Sequence, residues 1–570
     1  MKIANYLKLL REIICVTIIF MPNHVELLEL LLKNRGIALE DQDKFLNPVY
    51  ENLYDPYLLK DIEKAVVRIF EATEAKEKIV VYSDYDCDGI PAAVIMHDFF
   101  TKIGYENFSI YIPDRHDEGY GLHGEAIHEF IKTEVKLLIT FDLGITAVAE
   151  VAQAQSAGID VIITDHHLPH TDLPRAFAII NPKQDGCLYP DKMLCGAGLA
   201  FKLVQALIIK YGEYWKIPNG WEKWLLDMAG LATLADQVPL TNENRIFAYY
   251  GLKVLQKARR PGMAELFRKA GVNVSSMNEE DVTFTLAPRL NAASRMGSPM
   301  RAFEVLATTD VVLAKTLADH LAKINDERKL TVAHIMKDVK KTLQKREQKS
   351  LIVTGNPLWR VGILGLVASK IAEEYKCPAF VWGSEGSDTI RGSCRGWGNA
   401  NLVEIMSKLP EQSLLGFGGH SGAGGFSVSH EEVHFLEERL LTVFDGITDI
   451  KEVQGDTDID ATITMDDVTI PNYRVIEKLA PYGIGNPKPV FLFKDVPITE
   501  IKEFGKEKNH LELMFTNARG VPVKAIAFFK TRESYTRLLS QGARIDLMAT
   551  FEKSTFAGRT ELRLRIVDIL

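Results

Sequence analysis

Six cysteines stand in 570 residues, at 15, 87, 187, 195, 377 and 394, and no two show CxxC spacing. Neither a zinc ribbon nor a disulfide framework is suggested, and reduced thiols in a cytoplasm are the simplest reading. An excess of positive charge is also missing: 67 Lys+Arg against 76 Asp+Glu give a net charge of −9. That excludes a uniformly basic, histone-like binder. A local basic groove survives the exclusion, because phosphate contacts need only a patch. Long apolar runs are absent too. IICVTIIF, at 13–20, is too short for a bilayer, which needs about 20 residues, and no small-x-small cleavage site follows it. Secretion is not expected, and residues 1–20 read as an extension upstream of the natural start. With 46% hydrophobic and 25% charged residues, the bulk is neither disordered nor fibrous, and the length allows about three to five domains.

What is present is a repeated strand–helix pattern. Residues 78–82 (KIVVY) form an apolar strand ending in SDYDCDG, with a helix over 92–102. A second strand at 135–140 (VKLLIT) ends at Asp142 and leads into a helix reaching about 157. A third at 161–164 (VIIT) ends at Asp165, His166 and His167. This alternation predicts a parallel sheet, whose ligand site lies at the carboxyl ends of the strands. The three acidic tips then converge on one edge.

Other segments are plainer. Residues 24–75 read as short amphipathic helices broken by Pro48 and Pro56. Helices dominate 196–345 and end in a long charged segment, read as a solvated bridging helix. A second α/β pattern starts at 351 (LIVTG), passes through a helix at 362–375 to a strand at 379–382, and closes with GFGGHSGAGGF at 416–426. From about 455, short alternating strands (PVFLF, HLELMF, VKAIAFF, RIDLMATFE, ELRLRIVDI) predict a small antiparallel barrel. Residues 495–570 hold 13 Lys/Arg and 10 Asp/Glu, a net of +3, which leaves −12 for the rest. The tail is therefore the locally basic module, as a nucleic-acid-binding barrel would be.

Asp84, Asp86 and Asp88 alternate through SDYDCDG and repel one another, and divalent cations neutralise such a set best. Asp142, His166 and either Asp165 or His167 extend it to a carboxylate–imidazole site suited to Mn²⁺ or Mg²⁺, with Mn²⁺ favoured by the histidine. Two metals about 3.5–4 Å apart would activate a water and clamp a phosphoryl group. Asp86 taken alone reads more simply as a turn or helix cap. A Rossmann dinucleotide site is disfavoured, since no GxGxxG follows the first strand.

DYDCDG, FDLGI and TDHH, in this order, resemble the DHH phosphoesterase superfamily. LCGAGLAFKL (194–203), LATLADQVPL (231–240) and APRLNAASRMG (287–297) narrow the resemblance to the bacterial RecJ exonucleases. GFGGHSGAGG resembles the glycine-rich motif of the DHH-associated domain, and PYGIGNPKPVF (481–491) the start of the RecJ OB-fold. The likeness covers roughly 45–570. It implies an α/β chain with a DHH domain (76–270) and a DHH-associated domain (346–450), both with parallel-type sheets. A helical region (1–75) precedes them, a linker with a long helix (271–345) joins them, and an OB-fold barrel (455–570) follows.

The resemblance also implies roles. Asp86 and Asp88 match the metal pair, with Asp84 before it, and Asp142 matches the carboxylate shared by both metals. His166 matches a ligand, with Asp165 orienting it, and Asp236 the last carboxylate ligand, which periodicity alone would not find. Asp88, Asp142, His166 and His167 make the catalytic set, with His167 beside the reacting phosphate. Arg115 with EGYGL (118–122), and Arg289, Asn291 and Arg295, match elements near the nucleic acid. Ser393 and Arg395 in GSCRGWGNANL become 5′-phosphate contacts, since a guanidinium fork binds phosphate bidentately. Pairing with a nearby carboxylate is the structural alternative for Arg395. Gly418, Gly419 and His420 would bring N–H groups and an imidazole to the scissile region; a tight turn is the plainer reading of that glycine run. In the barrel, Phe504, Phe515 and Phe528 or Phe529 are candidate stacking rings, with core packing expected for most.

Five positions depart from the family pattern. Tyr82 stands where related pyrophosphatases have a His ligand, and Leu143 replaces a polar residue. Arg360 replaces a frequent His, and Cys394 and Gly396 interrupt the Ser-Gly-Arg pattern. The activity implied is a single-strand-specific 5′→3′ deoxyribonuclease with two divalent ions, Mn²⁺ or Mg²⁺, releasing 5′-mononucleotides in DNA repair and recombination. Its implied partners are single-stranded DNA with a 5′ end, a single-strand-binding protein and a helicase, and a cytoplasmic monomer away from membranes is expected. The alternatives are a small-substrate DHH oligoribonuclease or nucleotide phosphatase, and an inactive replication scaffold. The tail beyond 455 argues against the first, and the intact ligand set against the second.

Overall fold

The computed structural model describes residues 24–347, 349–387, 389–447, 458–554 and 561–570. The apolar stretch at 13–20 lies outside them. The described residues fall into two compact units, one drawn from Met1–Val49 with Gly455–Leu570, the other from Tyr50–Gln454. The helical region expected over 1–75 is thus divided. Leu27, Leu31 and Leu32 of the helix His24–Asn34 join the core of the C-terminal unit, while Ile62–Glu74 packs in the larger one.

In the larger unit, β1 (Ile79–Ser83), β2 (Phe108–Tyr111), β3 (Leu137–Phe141), β4 (Asp160–Thr164) and β5 (Ala178–Ile180) form a sheet in the order β2-β1-β3-β4-β5. Every pair is parallel. β1 and β3 are buried along their whole length, as a sheet covered on both faces requires. Ile79, Val81, Leu137 and Ile139 pack with helices Gly89–Lys102 and Gly196–Tyr211. Val80, Tyr82 and Leu138 point the other way, to helices Gly124–Lys132 and Val148–Ser156. Strand order reverses between β1 and β3, the place where an open parallel sheet leaves a crevice.

The second sheet holds β6 (Ile352–Gly355), β7 (Ala379–Gly383), β8 (Ile390–Arg395), β9 (Gly416–His420) and β10 (Ala423–Val428), ordered β6-β7-β8-β10-β9. The parallel type expected here holds for β6 and β7 alone, the pair joined by the helix Leu364–Tyr375. The other pairs are antiparallel, because connections as short as the one from β9 to β10 can only turn a strand back on itself. The helix Val311–Leu343 runs between the cores of the two α/β domains.

The C-terminal unit carries seven strands, β11 (Ala461–Thr462), β12 (Phe491–Pro497), β13 (Glu500–Phe504), β14 (His510–Thr516), β15 (Pro522–Ala527), β16 (Arg544–Ser554) and β17 (Glu561–Ile569). Burial alternates along β14, with Leu511, Leu513 and Phe515 inward, and this buried side forms one core with Phe491, Phe493 and Leu547. The purely antiparallel expectation fails at two pairs, β11 with β12 and β15 with β17, which are parallel. Charged β13 (EIKEF) sits at the sheet edge, where only one side needs a partner, so its sequence carries a weak strand signal.

Candidate metal centre and nucleic-acid contacts

Register builds the site. Ser83 pairs with Phe141, and Phe141 with Thr164, so Asp84, Asp142 and Asp165 leave the sheet side by side. Their own N–H groups donate to Phe141, Thr164 and Ile180 carbonyls at 3.2, 3.0 and 3.1 Å. Asp142 adopts φ 62°, a left-handed conformation that aspartate tolerates better than most residues.

The ligand groups fall into three sets, linked through Asp142 and His166. Ligand atoms of Asp84, Asp86 and Asp142 lie within 4.8 Å of one another, as do those of Asp88, His166 and Asp236, and of Asp142, His166 and His167. His166 Nε2 is 3.1 Å from Asp142 Oδ1, 3.6 Å from Asp88 Oδ2 and 3.9 Å from Asp236 Oδ2. Asp236 caps the C-terminus of the helix Leu226–Ala235. All six residues expected as ligands are therefore gathered. Asp86 also does what the simpler reading asked of it: its Oδ1 accepts from the N–H groups of Asp88 and Gly89 at 2.8 and 3.1 Å.

The set fits divalent cations. Asp84 Oδ1 and Asp142 Oδ1 are buried without a hydrogen-bond partner, and buried acceptors of that kind are costly unless something fills them. Burial and then Asp86 raise Asp84 well above the carboxylate range. Burial, then Asp88 and the other carboxylates, do the same to Asp142. Burial and Asp86 lift Asp88 to about 6, and burial and Asp88 lift Asp236 to about 8. Burial, then His167, push His166 down to about 3, so its imidazole is neutral and able to ligate. A hard cation relieves all of these costs at once.

Asp165 corrects an expectation. Its carboxylate holds His167, not His166: Oδ1 accepts from His167 Nδ1 at 2.8 Å and His167 N at 3.0 Å, while Oδ2 accepts from Ile145 N at 2.9 Å. Burial opposes protonation of His167, but the Asp165 hydrogen bond and the charges of Asp165, Asp88 and Asp86 together outweigh it and the pKa rises. The hydroxyl of Tyr120, within the 118–122 run, donates to the Asp142 carbonyl at 3.2 Å and lies 3.3 Å from His167 Nδ1.

Other supports were not foreseen. Both Asp88 oxygens accept from the first N–H groups of the helix Gly196–Tyr211, Gly196 at 2.6 Å and Ala197 at 2.7 Å. A Cβ on Gly196 would stand 2.7 Å from Asp142 Cβ. The Lys183 ammonium donates to the His166 carbonyl. Such long-range contacts leave no periodic trace, although 194–203 was already marked by its family likeness.

A cluster of arginines adjoins the carboxylates. Arg115 lies 4.9 Å over the Tyr85 ring, and Arg295 donates to the Gly362 carbonyl at 3.2 Å. Burial, then Arg115, Arg328 and Arg395, push the Arg295 guanidinium down. Arg289 donates to the Thr285 carbonyl, and Asn291 Oδ1 is buried without a partner. Arg395 pairs with no carboxylate among the described residues, and its Nη1 donates to the Cys394 carbonyl at 2.8 Å. A Cβ on Gly365 would meet its Nη2 at 3.0 Å and Ser393 Oγ at 3.7 Å. Both side chains thus stand at the N-terminal end of the helix Leu364–Tyr375, where anions are favoured. Gly418 and His420 lie two strands away in the same register rows, through Gly425 and Ala423 to Ser393 and Arg395. They and Gly419 are exposed on the edge strand and sit beside the arginines rather than among the ligands.

The departures are accommodated. Tyr82 is buried on the opposite face, with its hydroxyl on the Gly121 carbonyl at 3.0 Å. Leu143 and Cys394 are core residues. Arg360 lies 3.8 Å from Glu385. In the C-terminal unit Phe515 is core and Phe504 packs on His510, whereas Phe529 is 80% exposed.

A parallel sheet whose strand tips gather carboxylates and imidazoles defines the DHH class of phosphoesterases, and residues 78–233 match the model of the DHH family, N-terminal domain. Residues 459–568 match that of the RecJ OB domain. The chain belongs to the RecJ family. The single-stranded-DNA-specific exonuclease RecJ of Bacillus subtilis (strain 168) is 34% identical over 541 residues, 94% of this chain and 67% of that protein. Its namesake in Haemophilus influenzae is 31% identical over 566 residues, 96% of each chain. The crystal structure of RecJ in complex with Mn²⁺ from Thermus thermophilus matches with a TM-score of 0.79 at 26% identity, over 96% of this chain and 76% of that one.

Proposed function

We propose that this chain is a metal-dependent, single-strand-specific 5′→3′ DNA exonuclease of DNA repair and recombination. The observation that carries the reading is the linking of the ligand sets through Asp142 and His166, with a cluster of arginines next to them. Asp84, Asp86 and Asp142 would hold one divalent ion and Asp88, His166, Asp236 and Asp142 the other. Bound there, Mn²⁺ or Mg²⁺ supplies Lewis acidity and lowers the pKa of the attacking water. The chain does the rest. Helix N–H groups fix Asp88. Asp165 holds the Nδ1–H of His167 and favours the protonated ring; that imidazolium would carry its second proton on Nε2, from which it would stabilise the reacting phosphate or protonate the leaving oxygen. Ser393 and Arg395 would hold the terminal phosphate while water adds to phosphorus. The bond to the 3′-oxygen breaks, and a 5′-mononucleotide and a shortened strand result.

The reading includes a monomer and a cytoplasmic location, the latter in keeping with the five described cysteines, all free and buried. No helix among the described residues is long and apolar enough to cross a membrane. A single-strand-binding protein and a helicase are its further partners on this reading. Digestion of 5′-labelled and 3′-labelled single strands, with Mn²⁺ and with EDTA, tests it. Mononucleotide release from the 5′ end, abolished by EDTA and poor on blunt duplex, is expected. Activity confined to dinucleotides or nucleotide phosphates would replace it with the small-substrate reading, and no activity with the scaffold.

A further inference from the structure

The long helix Val311–Leu343 is more than a bridge. Its buried positions run Ala314, Leu317, Leu321, Asn325, Val332, Ile335 and Val339. Arg328 falls between Asn325 and Val332 at the same three- and four-residue spacing. Up to Leu321 the stripe packs into the core beneath the first sheet, and from Val332 it packs into the core of the second α/β domain. Polar residues at core positions are unfavourable unless they serve a function, and here they interrupt the stripe where the helix leaves one core for the other.

Neither residue has found a protein partner. Asn325 is fully buried, and neither its Oδ1 nor its Nδ2 is hydrogen-bonded. The Arg328 Nε is buried without an acceptor. The helix packs on Ala287–Met296, which brings Arg289, Asn291 and Arg295. The Asn291 Oδ1 is likewise unpaired. None of Arg289, Arg295 and Arg328 forms an ion pair with a carboxylate within 4.0 Å among the described residues. Burial, then Arg289, push the Arg328 guanidinium down. The Arg289 and Arg328 guanidiniums, half-buried and repelling one another with Asp326 relieving only Arg289, share a helix pair with the unpaired Nδ2 of Asn325, a set of donors that an anion would satisfy.

We propose that Arg328, with Arg289 and the Nδ2 group of Asn325, forms a subsite for an internal phosphodiester of the bound strand, separate from the terminal-phosphate contacts at Ser393 and Arg395. The inference rests on the reading of the chain as a single-strand nuclease. It gives the long helix a share in substrate binding, with a guanidinium fork as the reader.

Binding of a labelled oligothymidylate in EDTA, with 5′-phosphate or 5′-hydroxyl ends and over a range of salt, tests it. Arg328→Met should weaken binding roughly tenfold and flatten the salt slope by about 0.7, equally for both ends. Arg395→Ala should instead weaken the phosphorylated strand selectively. Arg328→Lys should keep the wild-type slope while losing part of the affinity. Asn325→Leu completes the apolar stripe, so it should raise the melting temperature while weakening binding. Wild-type affinity and slope in a folded Arg328→Met protein would overturn the subsite, as would a loss confined to 5′-phosphorylated strands. A gain in stability without loss of binding in Asn325→Leu would remove Asn325 from it. Failure of the wild type itself to bind single strands would overturn the nuclease reading, a result distinct from any of these.

Discussion

Asp142 concentrates the conflict on which the site is built. It is buried, holds a left-handed backbone, and presents an oxygen without a partner to His166 and the other carboxylates. Asp142→Asn keeps the shape and the tolerance of that backbone but removes a charge. Activity in Mn²⁺ should fall by more than about 100-fold, the upper cost of losing a group that merely supports a ligand. The metal-free protein should melt higher than wild type, because Asn is neutral already whereas Asp142 must take up a proton to be buried. Near-normal activity in the folded variant would contradict the shared-ligand arrangement. The same conflict predicts a pH dependence. An unfolded chain has released its carboxylate protons well below neutrality, whereas the metal-free folded chain keeps them, on Asp236 up to about 8. In that window the folded state binds more protons, so its stability falls as pH rises. His167, raised by Asp165, adds to the fall, and His166 opposes it only below its ordinary value of 6.5. In EDTA the melting temperature should therefore drop between pH 6.5 and 8, and Mn²⁺ should abolish the drop. A flat profile in EDTA would contradict this account.

Elements act here through their ends. The helix Gly196–Tyr211 aims its first N–H groups at Asp88 and approaches Asp142 so closely that a Cβ at 196 has no room. Gly196→Ala should push Asp142 or the helix aside, raise the Mn²⁺ concentration needed for half-maximal activity about 10–100-fold, and leave the fold intact. An unchanged Mn²⁺ titration would mean that the contact relaxes without consequence. What sequence reveals follows the same division. The strand tips at Asp84, Asp142 and Asp165 were legible because apolar runs ending in acid announce themselves and parallel register brings their ends together. Asp236 was not, since it caps a helix far along the chain and only family likeness marked it. The partner of Asp165 was misread because adjacent histidines look alike in sequence, and only the backbone decides which ring turns toward the carboxylate. The long helix was read as solvated because its charge masks a stripe that Asn325 and Arg328 interrupt.

At the scale of the whole molecule, the division into two units decides how the barrel's role can be measured. Every ligand, guanidinium and hydroxyl discussed above lies in Tyr50–Gln454. Removing 455–570 alone would strip Leu27, Leu31 and Leu32 of the core they share with Phe491 and Leu547, and would invite aggregation. The clean comparison deletes 1–49 together with 455–570. The C-terminal unit has the means to hold a strand: Phe529 is exposed beside His510, and Arg565 lies 4.1 Å from the Phe528 ring. Rings of this kind stack on bases whatever the sequence, while the net positive charge follows the backbone. Each phosphate neutralised adds about 0.7 to the slope of log affinity against log salt for single strands. The full chain should therefore lose affinity for long strands more steeply with salt than 50–454. The shorter chain should still digest short strands in Mn²⁺ at a comparable rate, since the chemistry lies wholly within it. Equal slopes would mean that the barrel does not hold the strand. Loss of digestion of short strands by a folded 50–454 would mean that the catalytic unit depends on the other for more than grip.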